Sequence, residues 1–246
     1  MRQSRFSHLF VFAIVIVFIT ACGGGSQKKA ETDSIDNPDS VIVNSMPAAN
    51  TTITTPQNMM IAIHKVANFE KWIISYEGHD SIRLASQVHS YVIGRGLMDS
   101  NLVMVAVKVD DIAKAKAFSK DPGLKKAMQQ SGVTSTPVFS FVTMTFQDTA
   151  IVHTGIRSRS VFQVKDWDTW QKAFEEGKQD RLDNGIIVRA YGHDADDNHK
   201  VVVVTALMDT AKANAYWKSD MLKSRMKAAG VIGMPERYMF QVVRRY

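Results

Sequence analysis

Three residues early in the globular part of the chain are of types that move protons and hold anions: His64, His79 and Arg83. Trp72, Tyr76, His79 and Arg83 follow one another at spacings of 4, 3 and 4, which places them on one stripe of a helix. A neutral imidazole accepts a proton near neutral pH, and a guanidinium holds an enolate, carboxylate or phenolate. The three together are the candidate catalytic set, with histidine as general base and Arg83 as anion holder. A plainer reading stands beside it, in which His79 is a solvated helix residue and Arg83 covers an edge of the core. His89 and Tyr91 share a face of one strand, but two residues alone make no site.

Other chemistries find less support. His64, His79 and His89 lack close ligand spacing, and neither cysteines nor clustered carboxylates join them, so no metal is expected. The run HDADDNH, His193 to His199, is dense in oxygen ligands. It falls where a hairpin turn belongs and lacks the glycine and distal glutamate of an EF-hand, so it reads as an Asp/Asn-rich turn. No glycine-rich phosphate loop, G-x-S-x-G elbow or dinucleotide fingerprint occurs, and no cofactor is expected.

The N-terminus carries an address. Arg2 and Arg5 precede an apolar run from Leu9 to Ala21, too short for a comfortable transmembrane helix. Cys22, the one cysteine of 246 residues, follows directly, and Ile19-Thr20-Ala21-Cys22 resembles the lipobox of bacterial lipoproteins. That resemblance implies a signal peptide over 1–21, a lipidated Cys22 and attachment to a lipid bilayer. With no second thiol, an intrachain disulfide is excluded. Residues 22–57 are rich in Gly, Ser, Asn, Thr and Pro and read as a flexible tether. Glycines rather than aspartate follow Cys22, which points to the outer membrane. The net charge of +6 includes Arg2 and Arg5, and without them it falls to +4. The basic residues are dispersed among acidic ones, so no nucleic-acid partner is expected.

The elements that must position the three residues come in two copies. Asp111 to Pro137 recurs as Asp209 to Pro235, 98 positions along, with Leu124/Leu222, Met128/Met226 and Gly132/Gly230 identical. The match runs upstream without a gap through Trp72/Trp170, Arg83/Arg181 and Gly94/Gly192. An internal repeat of this length is a domain rather than a solenoid unit. Each copy, 58–148 and 152–246, reads β-α-β-β-α-β, the ferredoxin-like α+β order. Helical spacing follows the cap Asn68, and VHSYVIGRG and NLVMVAVKV form a hairpin. Asp111 opens the second helix, Pro122 interrupts it, Gly132 ends it, and Pro137 begins the last strand.

These residues resemble the dimeric α/β-barrel superfamily. The similarity is carried by His64-Lys65-Val66 with Asn68, Phe69 and Trp72, then by Tyr76-Glu77 with His79 and Arg83. It extends through Lys114, Leu124, Met128, Gly132-Val133 and Pro137, and covers both copies. The related proteins include antibiotic-biosynthesis monooxygenases. The resemblance implies that two ferredoxin-like units lay their bare sheet faces together in an intramolecular pseudo-dimeric barrel, for which a homo-oligomer is not required. It also implies a pocket between helices and sheet, open to a small apolar or aromatic ligand.

The copies differ where that pocket would lie. His64 becomes Phe162 and His79 becomes Gly177, while Arg83 is kept as Arg181. The first copy is therefore expected to hold any site and the second to be structural. Three functions remain in view: a small-molecule-binding envelope module, a cofactor-independent monooxygenase- or isomerase-like enzyme, and a structural or protein-interaction unit. Convergence of His64 and His79 on one enclosed pocket is the feature that separates the first two, since without it the enzyme loses its support. A filled interior with an exposed apolar patch would mark the third.

Overall fold

The computed structural model describes residues 50–246; the expected signal segment, Cys22 and the expected tether up to residue 49 lie outside the described residues. The first repeat comprises β2 (Gln57–Lys65), α1 (Phe69–Gly78), α2 (Asp80–Ala85), β3 (Val88–Gly96), β4 (Leu102–Val109), α3 (Ile112–Phe118), α4 (Pro122–Gln130) and β5 (Val138–Asp148). A short strand, β1 (Thr52–Ile53), precedes it. The second repeat follows in the same order: β6 (Ile156–Val164), α5 (Trp167–Glu176), α6 (Lys178–Asp183), β7 (Ile186–Asp194), β8 (Lys200–Leu207), α7 (Thr210–Lys218), α8 (Asp220–Ala228) and β9 (Val231–Arg245).

Local signals set these boundaries. Asn68, Asp111, Asp166 and Asp209 each accept the backbone N–H three residues on, satisfying donors that a helix start leaves free. Each expected helix is broken into two. Pro122 at the first turn of α4 makes one break. His79, at φ −101° and ψ 20°, ends α1 and begins α2, and Gly177 does the same between α5 and α6.

The nine strands of the described residues join one antiparallel sheet in the order β1-β5-β2-β4-β3-β9-β6-β8-β7, and β7 returns to pair with β5. The sheet therefore closes into a barrel within one chain, with two seams between the repeats, β3–β9 and β5–β7. Closure covers both faces of the sheet among the described residues. Met59, Ile61, Met104, Val142, Met144, Val202 and Phe240 pack inside the barrel. The opposite face of each repeat packs on its own helices, through Met60, Ala62 and Trp72 in the first and Val201, Val203 and Trp170 in the second. Burial on both faces explains why these strands read as nearly continuous apolar runs rather than as alternation. Each large side chain removed from water here stabilises the fold by about 2 kcal/mol.

Two boundaries differ from expectation. Thr52 and Ile53 pair with Asp148 and Gln147, and β2 already begins at Gln57, so the last residues of the expected tether belong to the sheet. The long β5 outruns β2, and β1 covers the backbone groups left over. At the other end β9 starts at Val231, ahead of Pro235. Register against β6 shifts between Val161 and Gln163, opposite that proline, where a missing N–H is tolerated.

Candidate functional site

On β2 the side chains of Met60, Ala62 and His64 turn toward the helices, because Met59 and Ile61 fill the barrel. His64 thereby meets the stripe of α1 and α2. Its ring lies 5.6 Å from that of Trp72 in an edge-on arrangement, and Trp72 stacks on Tyr76 at 5.3 Å. A cavity of about 90 Å³ opens between these residues and α4, and His64, Trp72, Tyr76, His79 and Arg83 all line it. The convergence expected of His64 and His79 on one pocket is present.

Their states differ sharply. His64 is 2% exposed, and neither ring nitrogen has a hydrogen-bond partner among the described residues. Burial pulls its pKa down to about 4, so at neutral pH it is an uncharged imidazole with one donor and one acceptor unsatisfied. His79 is anchored: its Nδ1 lies 2.6 Å from the Ser75 carbonyl oxygen. A carbonyl only accepts, so the proton sits on Nδ1 and a neutral ring presents Nε2 as an acceptor.

Arg83 is already committed. Its Nη1 donates to the Tyr76 carbonyl at 2.7 Å, Nη2 to Asp80 at 2.9 Å and Nε to the Ser90 hydroxyl at 3.2 Å. The guanidinium also stacks 3.8 Å above the Tyr76 ring. Arg181 repeats this bracket, donating to the Phe174 carbonyl at 2.6 Å and stacking 3.8 Å above the Phe174 ring. In both repeats the arginine ties the second half of a broken helix to the first. Arg83→Ala and Arg181→Ala should each lower stability by about 2 kcal/mol, since each removes a charge-assisted hydrogen bond to the end of the first helix half and strips an aromatic face. Urea unfolding of the two variants checks this; a loss confined to one repeat would show that the bracket is not the shared role.

The second repeat is not filled in. Phe162, Trp170, Phe174, Gly177 and Arg181 line a cavity of about 110 Å³ at the corresponding place. Phe162 meets Trp170 edge-on at 5.7 Å and 60°, against 5.6 Å and 61° for His64 and Trp72. The lack of a side chain at Gly177 leaves the space that His79 borders in the first repeat. The difference between the copies is thus one of polarity at a shared cavity. Comparing residue types alone missed this second cavity, although the paired Trp72/Trp170 and Arg83/Arg181 were the signal for it.

The other sequence candidates resolve simply. His89 Nε2 lies 3.1 Å from Asp110 at the surface, while Tyr91 packs toward the barrel interior. In the HDADDNH turn, Asp194 and Asp197 accept the backbone N–H groups of Asp196 and His199, and Asp196 pairs with Lys116. Among the described residues no group of three or more His, Cys, Asp or Glu is placed to hold a metal ion.

No family model and no curated protein matches the sequence. Solved structures do. A monooxygenase candidate from Fusobacterium nucleatum subsp. nucleatum superposes with a TM-score of 0.50 at 11% identity, over 77% of this chain and 93% of that one. An anthrone oxidase-like protein gives 0.50 at 14% identity, over 79% and 95%. A chlorite dismutase candidate gives 0.51 at 11%, over 76% and 95%. The fold is that of the dimeric α/β barrels. At these identities the likeness carries architecture, and activity has to be argued from the cavities themselves.

Proposed function

We infer that the chain is a bacterial envelope lipoprotein, held to the outer membrane by lipid on Cys22, whose barrel binds a small, partly apolar molecule in the first-repeat cavity. The observation that carries the binding role is His64. An imidazole buried without partners costs the fold free energy, and the second repeat uses phenylalanine at the same place. A ligand with one polar group among apolar or aromatic atoms would satisfy His64 while filling the space beside Trp72 and Tyr76. His79 Nε2 offers a second acceptor at the wall.

The alternative is a cofactor-independent monooxygenase- or isomerase-like enzyme in which His64 or His79 takes a proton from the substrate. The shared cavity supports it. A pKa near 4 makes His64 a weak base at neutral pH. Three of the five Arg83 N–H groups are already engaged, one of them by the Asp80 carboxylate that offsets its charge, so binding without chemistry is the better-supported reading.

The full-length protein, purified in a neutral sugar detergent, should carry a small organic molecule detectable by mass spectrometry of a solvent extract. His64→Phe should lose it while remaining folded; the same extract from both proteins, or none from the wild type, would overturn the binding reading. Fractionation of cells producing Cys22→Ser tests the address separately. An unlipidated precursor is expected, and normal lipidation and anchoring of that variant would remove the lipoprotein assignment.

A further inference from the structure

Inside the barrel, on the opposite face of the sheet from the helix-covered cavities, lies a third cavity of different chemistry. Its volume is about 80 Å³, and Arg157, Arg159, Arg189 and Arg245 line it together with one carboxylate among the described residues, Asp148. Asp148 pairs with Arg189 at 2.7 Å. Arg157 is 3% exposed and donates Nη1 to the carbonyls of Thr154 at 2.7 Å and Ile156 at 3.0 Å, neutral groups that leave its charge uncompensated. Arg159 reaches across the barrel to the Ser140 hydroxyl at 3.3 Å, and its buried Nε has no partner among the described residues. Among the described residues neither Arg157 nor Arg159 forms an ion pair with a carboxylate.

The repeat shows that the fold does not need these charges. The positions 98 residues earlier are Met59, Ile61, Tyr91 and Gln147, and Met59 and Ile61 belong to the apolar barrel core. One half of a pseudo-symmetric interior thus supplies four guanidiniums where the other supplies none. Fastening the linker between repeats explains part of this, since Arg157 holds Thr154 and Arg189 holds the Ala150 carbonyl. It does not explain Arg159 or Arg245. A buried surplus of positive charge is costly unless a counter-charge arrives, and burial together with Arg245 and Arg189 already pulls the Arg157 pKa down to about 10.

We propose that this end of the barrel binds an oxyanion, a carboxylate or phosphate group, held between Arg157, Arg159 and the exposed Arg245. The planar fork of each guanidinium matches such a group in bidentate geometry. The cavity is several times larger than the roughly 15 Å³ that one water needs. Met104, Phe240 and Val242 continue the lining inward and would take a short apolar tail. This site is independent of the one at His64.

Thermal unfolding of the full-length protein in neutral detergent tests the proposal, with inorganic phosphate, hexanoate and chloride compared at constant ionic strength. Phosphate or hexanoate should raise the midpoint where chloride does not, because binding to the folded state alone stabilises it. A response to phosphate alone identifies a phosphate group as the ligand, and a response to hexanoate alone identifies an organic acid. Arg159→Gln and Arg245→Gln should each raise the concentration needed by about tenfold or more, the loss of one charge-assisted contact. His64→Phe should leave the response intact. Arg245 is exposed, so its variant keeps the fold even where Arg159→Gln does not. Equal midpoints in all three salts, or responses unchanged in both arginine variants, would overturn the proposal.

Discussion

Gly192→Ala is expected to lower stability by about 3 kcal/mol or more, the range reached when a side chain is forced into a space already occupied. Gly192 lies on β7 opposite Met144, beside the register shift of the β5–β7 seam. A Cβ there would lie 2.6 Å from Met144 Cα and would also collide with the Thr143 carbonyl, both parts of the β5 backbone. Backbone in a closed seam has nowhere to go. Its counterpart, Gly94, sits beside a register shift at the other seam, where an added Cβ would press on the buried ring of Phe240. A ring retreats more easily than a strand, so Gly94→Ala should cost about 1–3 kcal/mol. Denaturant midpoints with unchanged slopes are the measurement. An unperturbed Gly192→Ala would mean that the β5–β7 seam does not hold the barrel shut.

The second large effect concerns pH. In the folded chain the pKa of His64 is lowered to about 4, against 6.5 when it is exposed to water. Above pH 6.5 both states are neutral at this residue and pH has no leverage. As pH falls below 6.5 the unfolded chain takes up a proton that the folded chain refuses, so stability declines until the pH reaches about 4. Between pH 7 and 4.5 this contribution amounts to about 2–3 kcal/mol. His64→Phe removes it, and also removes two unsatisfied buried nitrogens, so the variant should be more stable at neutral pH by about 1–2 kcal/mol. Paired urea titrations at pH 7 and pH 4.5 read both effects. If the two proteins lose stability in parallel on acidification, His64 is not held neutral in the fold.

Much of this architecture was legible because its signals are local. Asn68 and Asp111 start helices by accepting nearby N–H groups, and the spacing of Trp72, Tyr76, His79 and Arg83 needs only a helix to become a stripe. The cavity followed from that stripe and from His64 on the adjoining strand. What escaped depends on groups distant in sequence. The sequence marks Arg83 as an available cation, but each of its three nitrogens already donates, to Tyr76, Asp80 or Ser90, which only folding brings around it. Arg157 and Arg159 alternate visibly along β6, yet which face they occupy is decided by barrel closure. The second-repeat cavity was hidden for a related reason: Phe162 and Gly177 read as losses, although the walls around them were kept.

Joining the repeats in one chain has a consequence for how the barrel interior could change. In a barrel made of two identical subunits every substitution appears twice, on opposite sides of the same enclosed space. Four inward or rim arginines would then face four more at close range, with mutual repulsion that burial strengthens. Within a single chain the Met59 and Ile61 half can stay oily while the Arg157 and Arg159 half becomes cationic. Fusion frees the interior from its own mirror, and a one-sided charge inside the barrel is a composition open only to a molecule whose two halves are encoded separately.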